Sequence, residues 1–175
     1  MHSSGGHAIR RGQPEDAPAL AQLAAATFTE TFGHLYRPED LHAFLTGSQT
    51  VATYGPLLQD PRIAIWVVVR PSGKLCGFLT AGPCKLPVPG LEATAGEIRQ
   101  IYLHRAVQRL GIGTCLLQTG LAWLYQRGRK PIYVGVWSEN TGAQRLYARY
   151  GFEKIGEYDF PVGQHLDREF ILKRQ

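Results

Sequence analysis

An extended segment from Glu97 to Leu103 leads to the run Gln108-Arg109-Leu110-Gly111-Ile112-Gly113-Thr114, and a long amphipathic helix follows. Strand, glycine turn and helix in that order leave few folds open. Gly111 and Gly113 let the backbone turn sharply and come close to a bound group. The helix that starts there aims unpaired N–H donors and a partial positive charge at the turn. The turn reads as a cradle for an anion. A nucleoside-triphosphate loop would need G-x-x-x-x-G-K-S/T, and the chain has no Gly-Lys-Ser or Gly-Lys-Thr. A dinucleotide fingerprint would need a third glycine where Leu116 stands, inside an N-terminal βαβ unit that is missing here.

The flanking sequence alternates helix and strand signals. Ala8 to Arg11 reads as a short strand, and Pro14-Glu15-Asp16 opens a helix whose apolar face is Leu20, Leu23, Ala24 and Phe28. A second helix starts at Pro38-Glu39-Asp40. Ser48 to Leu58 reads as another helical turn or two, although Gly55-Pro56 argues for a break. Ile63 to Val69 and Leu75 to Ala81 form a hairpin across Pro71-Ser72-Gly73-Lys74, and Pro83 to Gly96 is a loop before the Glu97 to Leu103 strand. The helix after the glycine turn ends near Gly128. Ile132 to Trp137 is a strand, Ala143, Leu146, Tyr147 and Tyr150 share one face of a short helix, and Glu153 to Phe160 and Arg168 to Lys173 are closing strands. The order β-α-α-β-β-β-α-β-α-β-β predicts an α/β arrangement with helices covering a mixed sheet.

Composition narrows the function classes. A chain of 175 residues, 44% hydrophobic and 19% charged, suits one domain over 8–175 after a flexible stretch at 1–7. Nineteen Lys and Arg against fourteen Asp and Glu give a formal charge of +5. These charges are interleaved with apolar residues, without the dense basic runs of a nucleic-acid binder, so a polyanionic cofactor is the simpler partner. Cys76, Cys84 and Cys115 lack C-x-x-C spacing and the six histidines lack H-E-x-x-H, so neither a disulfide framework nor a metal site is expected. The start Met1 to His7 lacks a secretory apolar region, and no stretch approaches the roughly 18 apolar residues of a membrane span. A cytoplasmic protein without membrane or nucleic-acid partners is expected. A homodimer would be the commonest assembly if it oligomerises.

Three segments carry a family resemblance: E-I-R-Q-I-Y-L at 97–103, Q-R-L-G-I-G at 108–113 and N-T-G-A-Q-R-L-Y-A-R-Y-G-F at 140–152. They resemble the Q/R-x-x-G-x-G/A and N-x-x-A-x-x-x-Y-x-x-x-G-F signatures of the GCN5-related N-acetyltransferases, and the element order from about Ile9 to Lys173 is similar throughout. Ala26-Thr-Phe-Thr-Glu-Thr-Phe32, Pro38-Glu-Asp-Leu41 and Ile132 to Asn140 resemble bacterial members that acetylate spermidine and spermine.

The resemblance implies a single-domain α/β fold with a mixed, mostly antiparallel twisted sheet and helices on both faces, and acetyl-CoA as cosubstrate. It implies that the backbone of Ile101, Tyr102 and Leu103 pairs with the pantetheine arm as a substitute strand. Gln108, Arg109, Gly111, Gly113 and Thr114 would hold the pyrophosphate, Asn140 would bond the cofactor near its reactive end, and Tyr147 would approach the sulfur. The chemistry calls for the same parts. An amine attacks the thioester, a backbone N–H at a disrupted point of the 97–103 strand stabilises the oxyanion, and a tyrosine protonates the departing thiolate. An amine with a pKa near 10.4 must first lose a proton, and Glu97 is the first candidate base. Glu30, Glu39, Asp40 and Glu139 are candidates to attract a cationic acceptor. By residue type alone Tyr147 is a packing residue, Asn140 a helix cap and Glu97 a solvated or salt-bridged strand-start acid; Trp66, Trp123 and Trp137 read as core. Two other functions remain open: acetylation of a protein lysine or N-terminus, and non-catalytic binding of acetyl-CoA as a regulator.

Overall fold

A computed structural model describes residues 3–4 and 6–175 of the protein. Among the described residues one sheet of eight strands runs through the molecule in the order β1-β2-β3-β4-β5-β6-β8-β7. The strands are β1 (Ser3–Ser4), β2 (His7–Arg11), β3 (Ala64–Val69), β4 (Leu75–Pro83), β5 (Gly96–Leu103), β6 (Ile132–Trp137), β7 (Glu153–Val162) and β8 (His165–Arg174). Every neighbouring pair is antiparallel except β5 and β6. The mixed, mostly antiparallel sheet of the sequence reading is the observed one. The expected flexibility at 1–7 falls in part on Met1, His2 and Gly5, which lie outside the described residues.

Helices cover both faces. On one face lie α1 (Ala17–Phe32) and α3 (Val51–Gln59), with Leu20, Leu23, Ala24 and Tyr54 packed on Ile65, Val67 and Phe78. On the other, α4 (Ile112–Gln126) and α5 (Thr141–Arg149) bury Leu116, Leu117, Leu124 and Tyr147 with Leu79, Ile98 and Val134. Phe78 and Leu79 thus point to opposite layers, as the two-residue period of a strand requires. Gly120 lets α4 sit close: a Cβ there would meet Ile98 Cδ1 and Leu79 Cδ2 at 2.9 Å. The helix α2 (Pro38–Ser48) lies over the β7 end of the first face, where Phe44 meets Phe160.

Two local expectations need correction. Pro14–Asp16 is a single 3-10 turn and the α-helix proper begins at Ala17. Asp16 is nevertheless the anchor of this start, since its Oδ2 accepts the Gln13 N–H at 2.8 Å and an Arg10 N–H at 2.7 Å. The break expected at Gly55-Pro56 is absent, and α3 runs through both residues as a third helix before β3. Thr50 caps it by accepting the Thr53 N–H at 3.2 Å. Pro56 stands on the exposed side while Tyr54 is buried, so the core contact outweighs the hydrogen bond lost at proline.

Candidate functional site

The glycine turn has a backbone that explains its composition. Gly111 caps α4 with φ at +76°, and Arg109 also lies in the left-handed region at +62°. Two left-handed residues on either side of Leu110 curl the chain so that successive N–H groups face one concavity. The first helical bond of α4 is Cys115 N–H to Gly111 O at 3.1 Å, so the N–H groups of Ile112, Gly113 and Thr114 precede the hydrogen-bonded ladder. The Gln108 side chain donates to Leu103 O at 3.0 Å and ties the turn to the end of β5.

The sheet opens beside this turn. β5 and β6 register only at Gly96 with Ile132 and Glu97 with Tyr133; beyond these pairs the strands part. The β6-facing edge of Ile101, Tyr102 and Leu103 is left without a strand neighbour, as an added strand would need. On its other edge β5 is irregular: Thr80 pairs with Gln100 and Ala81 with Ile98, leaving Arg99 as an extra residue in the β4 ladder. This is the disrupted point expected within 97–103.

A cavity of about 360 Å³ occupies the opening and reaches both faces of the sheet. Tyr147 and Asn140 line it from the α5 side, and Glu97, Ile101 and Tyr102 from β5. Tyr147 is only 6% exposed and packs edge-on against Phe152; burial raises its phenol pKa well above the ordinary value of 10, so it stays protonated. Asn140 caps α5, its Oδ1 accepting the Ala143 N–H at 3.1 Å, and it also borders the cavity. Glu97, 7% exposed, is no solvated acid: its Oε2 accepts the Lys85 N–H at 2.7 Å, with Arg99 Nε at 4.0 Å. Burial raises its pKa more than these partners lower it. Gln108, Arg109, Gly111, Gly113 and Thr114 lie outside the cavity wall, on the turn described above.

The acids proposed for the acceptor are elsewhere. Glu30 braces the loop after β5, its carboxylate 2.9 Å from His104 Nδ1 and accepting the Arg105 N–H at 3.1 Å. Asp40 accepts the Gln164 N–H at 2.8 Å, and Glu39 and Glu139 are exposed. The cavity draws its negative charge from Glu97, Asp167 and Glu169 instead. The Tyr36 hydroxyl donates to Asp167 Oδ2 and the Tyr158 hydroxyl to Glu169 Oε2. Burial raises the Glu169 pKa, against the bond from Tyr158, which lowers it. Trp137, expected in the core, lines the cavity with its ring edge-on to Phe32. These residues had one signal in the sequence: Asp167, Glu169 and Ile171 share the parity of a strand face whose last member is core.

A model of the acetyltransferase (GNAT) family matches residues 18–152. The chain belongs to the GNAT acetyltransferase family. An uncharacterised N-acetyltransferase of Lactobacillus delbrueckii subsp. lactis is 25% identical over 160 residues, covering 91% of this chain and 92% of its own. Another, from Mycobacterium tuberculosis, is 28% identical over 160 residues, covering 91% and 97%. Among solved structures, the PaiA N-acetyltransferase of Thermoplasma acidophilum in complex with coenzyme A superposes with a TM-score of 0.76 at 17% identity, over 97% of this chain and 98% of that one. This GNAT protein is an acetyl-CoA-dependent N-acetyltransferase, and the regulatory alternative is not favoured. The residues present fit the cosubstrate: the open β5 edge suits an extended amide-bearing arm, and the N–H-lined turn suits a pyrophosphate. Among the described residues no group of three or more His, Cys, Asp or Glu is placed to hold a metal, and no helix is long and apolar enough to cross a membrane.

Proposed function

We propose that this acetyltransferase moves the acetyl group in one step from acetyl-CoA to a small cationic amine of the polyamine kind. One observation carries the acceptor: the cavity is lined by three carboxylates, Glu97, Asp167 and Glu169, against one guanidinium, Arg99, within largely aromatic walls. Carboxylates and aromatic faces both favour a cation. The resemblance of residues 26–41 and 132–140 to spermidine and spermine acetyltransferases agrees with this chemistry.

The pantetheine arm lies along Ile101, Tyr102 and Leu103, and the pyrophosphate rests on the turn formed by Gln108, Arg109, Gly111, Gly113 and Thr114. Asn140 bonds the arm near its reactive end. The acceptor ammonium gives a proton to Glu97, directly or through water, and the free amine attacks the thioester carbonyl. A backbone N–H at the Arg99 irregularity stabilises the oxyanion. As the new C–N bond forms, the nitrogen releases its second proton through water to solvent; as the C–S bond breaks, Tyr147 donates its proton to the thiolate and is reprotonated from solvent. A phenol whose pKa is raised by burial is charged before transfer only at high pH, which suits an acid and not a base.

The test is a thiol-release screen with acetyl-CoA against polyamines, amino acids, aminoglycosides and lysine-bearing peptides, with the products identified by mass. Polyamines should give the highest kcat/KM; preference for a peptide or a neutral amine would overturn the acceptor assignment.

A further inference from the structure

The two acids on β8 are built differently from an ordinary surface cluster. Asp167 and Glu169 are two residues apart on one strand, so they share a face with Cα atoms about 6.6 Å apart. Each carboxylate accepts from a tyrosine supplied by another element, Tyr36 after α1 and Tyr158 on β7. Among the described residues no Lys or Arg pairs with either; Asp167 has His165, at 3.2 Å on the exposed rim. Partly buried anions that lack a cationic partner cost stability unless a ligand supplies one.

A second feature makes room for this arrangement. A Cβ on Gly135 of β6 would stand 2.7 Å from Tyr158 Oη and 2.9 Å from Glu169 Oε2, so the pair rests on bare backbone where β6 leaves β5. A third points to a ligand. Tyr147, 6% exposed and lining the same cavity, has no hydrogen-bond partner for its hydroxyl among the described residues. Glu169 is therefore the carboxylate beside the parted strands, whereas Asp167 lies further along β8, toward the turn to β7.

Resting on the acceptor reading above, we propose that Glu169 and Asp167 form a two-point seat selecting acceptors with two cationic nitrogens, the attacking amine at Glu169 and the second ammonium at Asp167. Tyr158 and Tyr36 fix the two carboxylates. The remaining lone pairs face the cavity and accept from the ammonium groups. A monoamine satisfies one carboxylate and leaves the other unpaired, which is the kind of mismatch that gives polar sites their selectivity.

The test compares putrescine with n-pentylamine, a chain of similar length lacking the second nitrogen, by thiol release at saturating acetyl-CoA. Wild type should favour putrescine in kcat/KM by at least about tenfold, with the difference mainly in KM. Asp167→Asn should collapse that ratio toward one, and Tyr36→Phe, which keeps the ring, should reduce it. Glu169→Gln should lower both rates while keeping the ratio. An Asp167→Asn ratio equal to wild type, or a wild type with no preference, overturns the seat. If wild type acetylates neither amine, the acceptor reading fails, and the seat is then judged by calorimetric titration with putrescine. Binding by wild type that is lost in the Asp167→Asn, Glu169→Gln double variant upholds the seat; no binding by wild type overturns it.

Discussion

Glu97 stands opposite Tyr133, and at that pair the parallel contact between β5 and β6 ends. The geometry of the site follows from it. Because the strands part there, one cavity reaches Tyr147 from the α5 face and Glu169 from the β8 face. The proposed donor and acceptor sides meet through the sheet.

Tyr147→Phe keeps the ring against Phe152 and removes the hydroxyl. We predict a fall in kcat of about 100-fold or more with little change in KM for acetyl-CoA. An unchanged kcat, measured by thiol release across pH, would remove the tyrosine from proton transfer.

Glu97 should set the acidic limb of the rate profile. A base acts only when deprotonated, and burial raises this carboxyl above its ordinary 4.5, so activity should fall as pH drops through a value above 4.5. Glu97→Gln should lower the rate and remove that limb. Superimposable profiles would assign the proton to another group.

Glu169 makes a stability prediction of definite sign. Its folded pKa is raised, so the stability it contributes is full below the ordinary carboxylate pKa and is lost as pH rises through the raised value. Glu169→Gln should therefore raise Tm at pH 8 and leave it close to wild type near pH 4. A lower Tm at pH 8, read by calorimetry without ligand, would contradict this sign.

Gly135→Ala places a methyl group 2.7 Å from Tyr158 Oη and 2.9 Å from Glu169 Oε2. We predict an acceptor KM raised by about tenfold and an acetyl-CoA KM near wild type, since the turn and the β5 edge are untouched. Equal effects on both constants would show a general distortion of β6.

Gly111→Ala tests the turn. The added Cβ meets nothing within 4 Å, so its cost is the left-handed conformation itself, about 1–2 kcal/mol. Chemical denaturation should show that loss, with a raised KM for acetyl-CoA; neither change would mean that the turn relaxes freely.

The elements of the proposed donor side were legible in the sequence because they are local. A strand, a glycine turn and a helix N-terminus follow one another within 97–126, and their residue types are required by backbone shape and by the need for N–H donors. Tyr147 and Asn140 could be read because they stand at fixed spacing on one helix. The proposed acceptor side is assembled across long separations. Tyr36 meets Asp167 and Tyr158 meets Glu169 only after β8 inserts between β6 and β7, an order of strands that no local pattern specifies. Charge alone pointed to Glu30, Glu39, Asp40 and Glu139. Two of these are bound up in bracing loops, and the other two are exposed. The continuous α3 was hidden for a related reason: Gly55-Pro56 signals a break locally, and burial of Tyr54 against Phe78 overrides it.

The most direct measurement is a structure of the enzyme with coenzyme A and spermidine bound. The sulfur should lie within about 3.5 Å of Tyr147 Oη, with the pantetheine arm along 101–103 and the spermidine nitrogens at Glu169 and Asp167. An arm bound outside the gap between β5 and β6, or an amine away from both carboxylates, would contradict it.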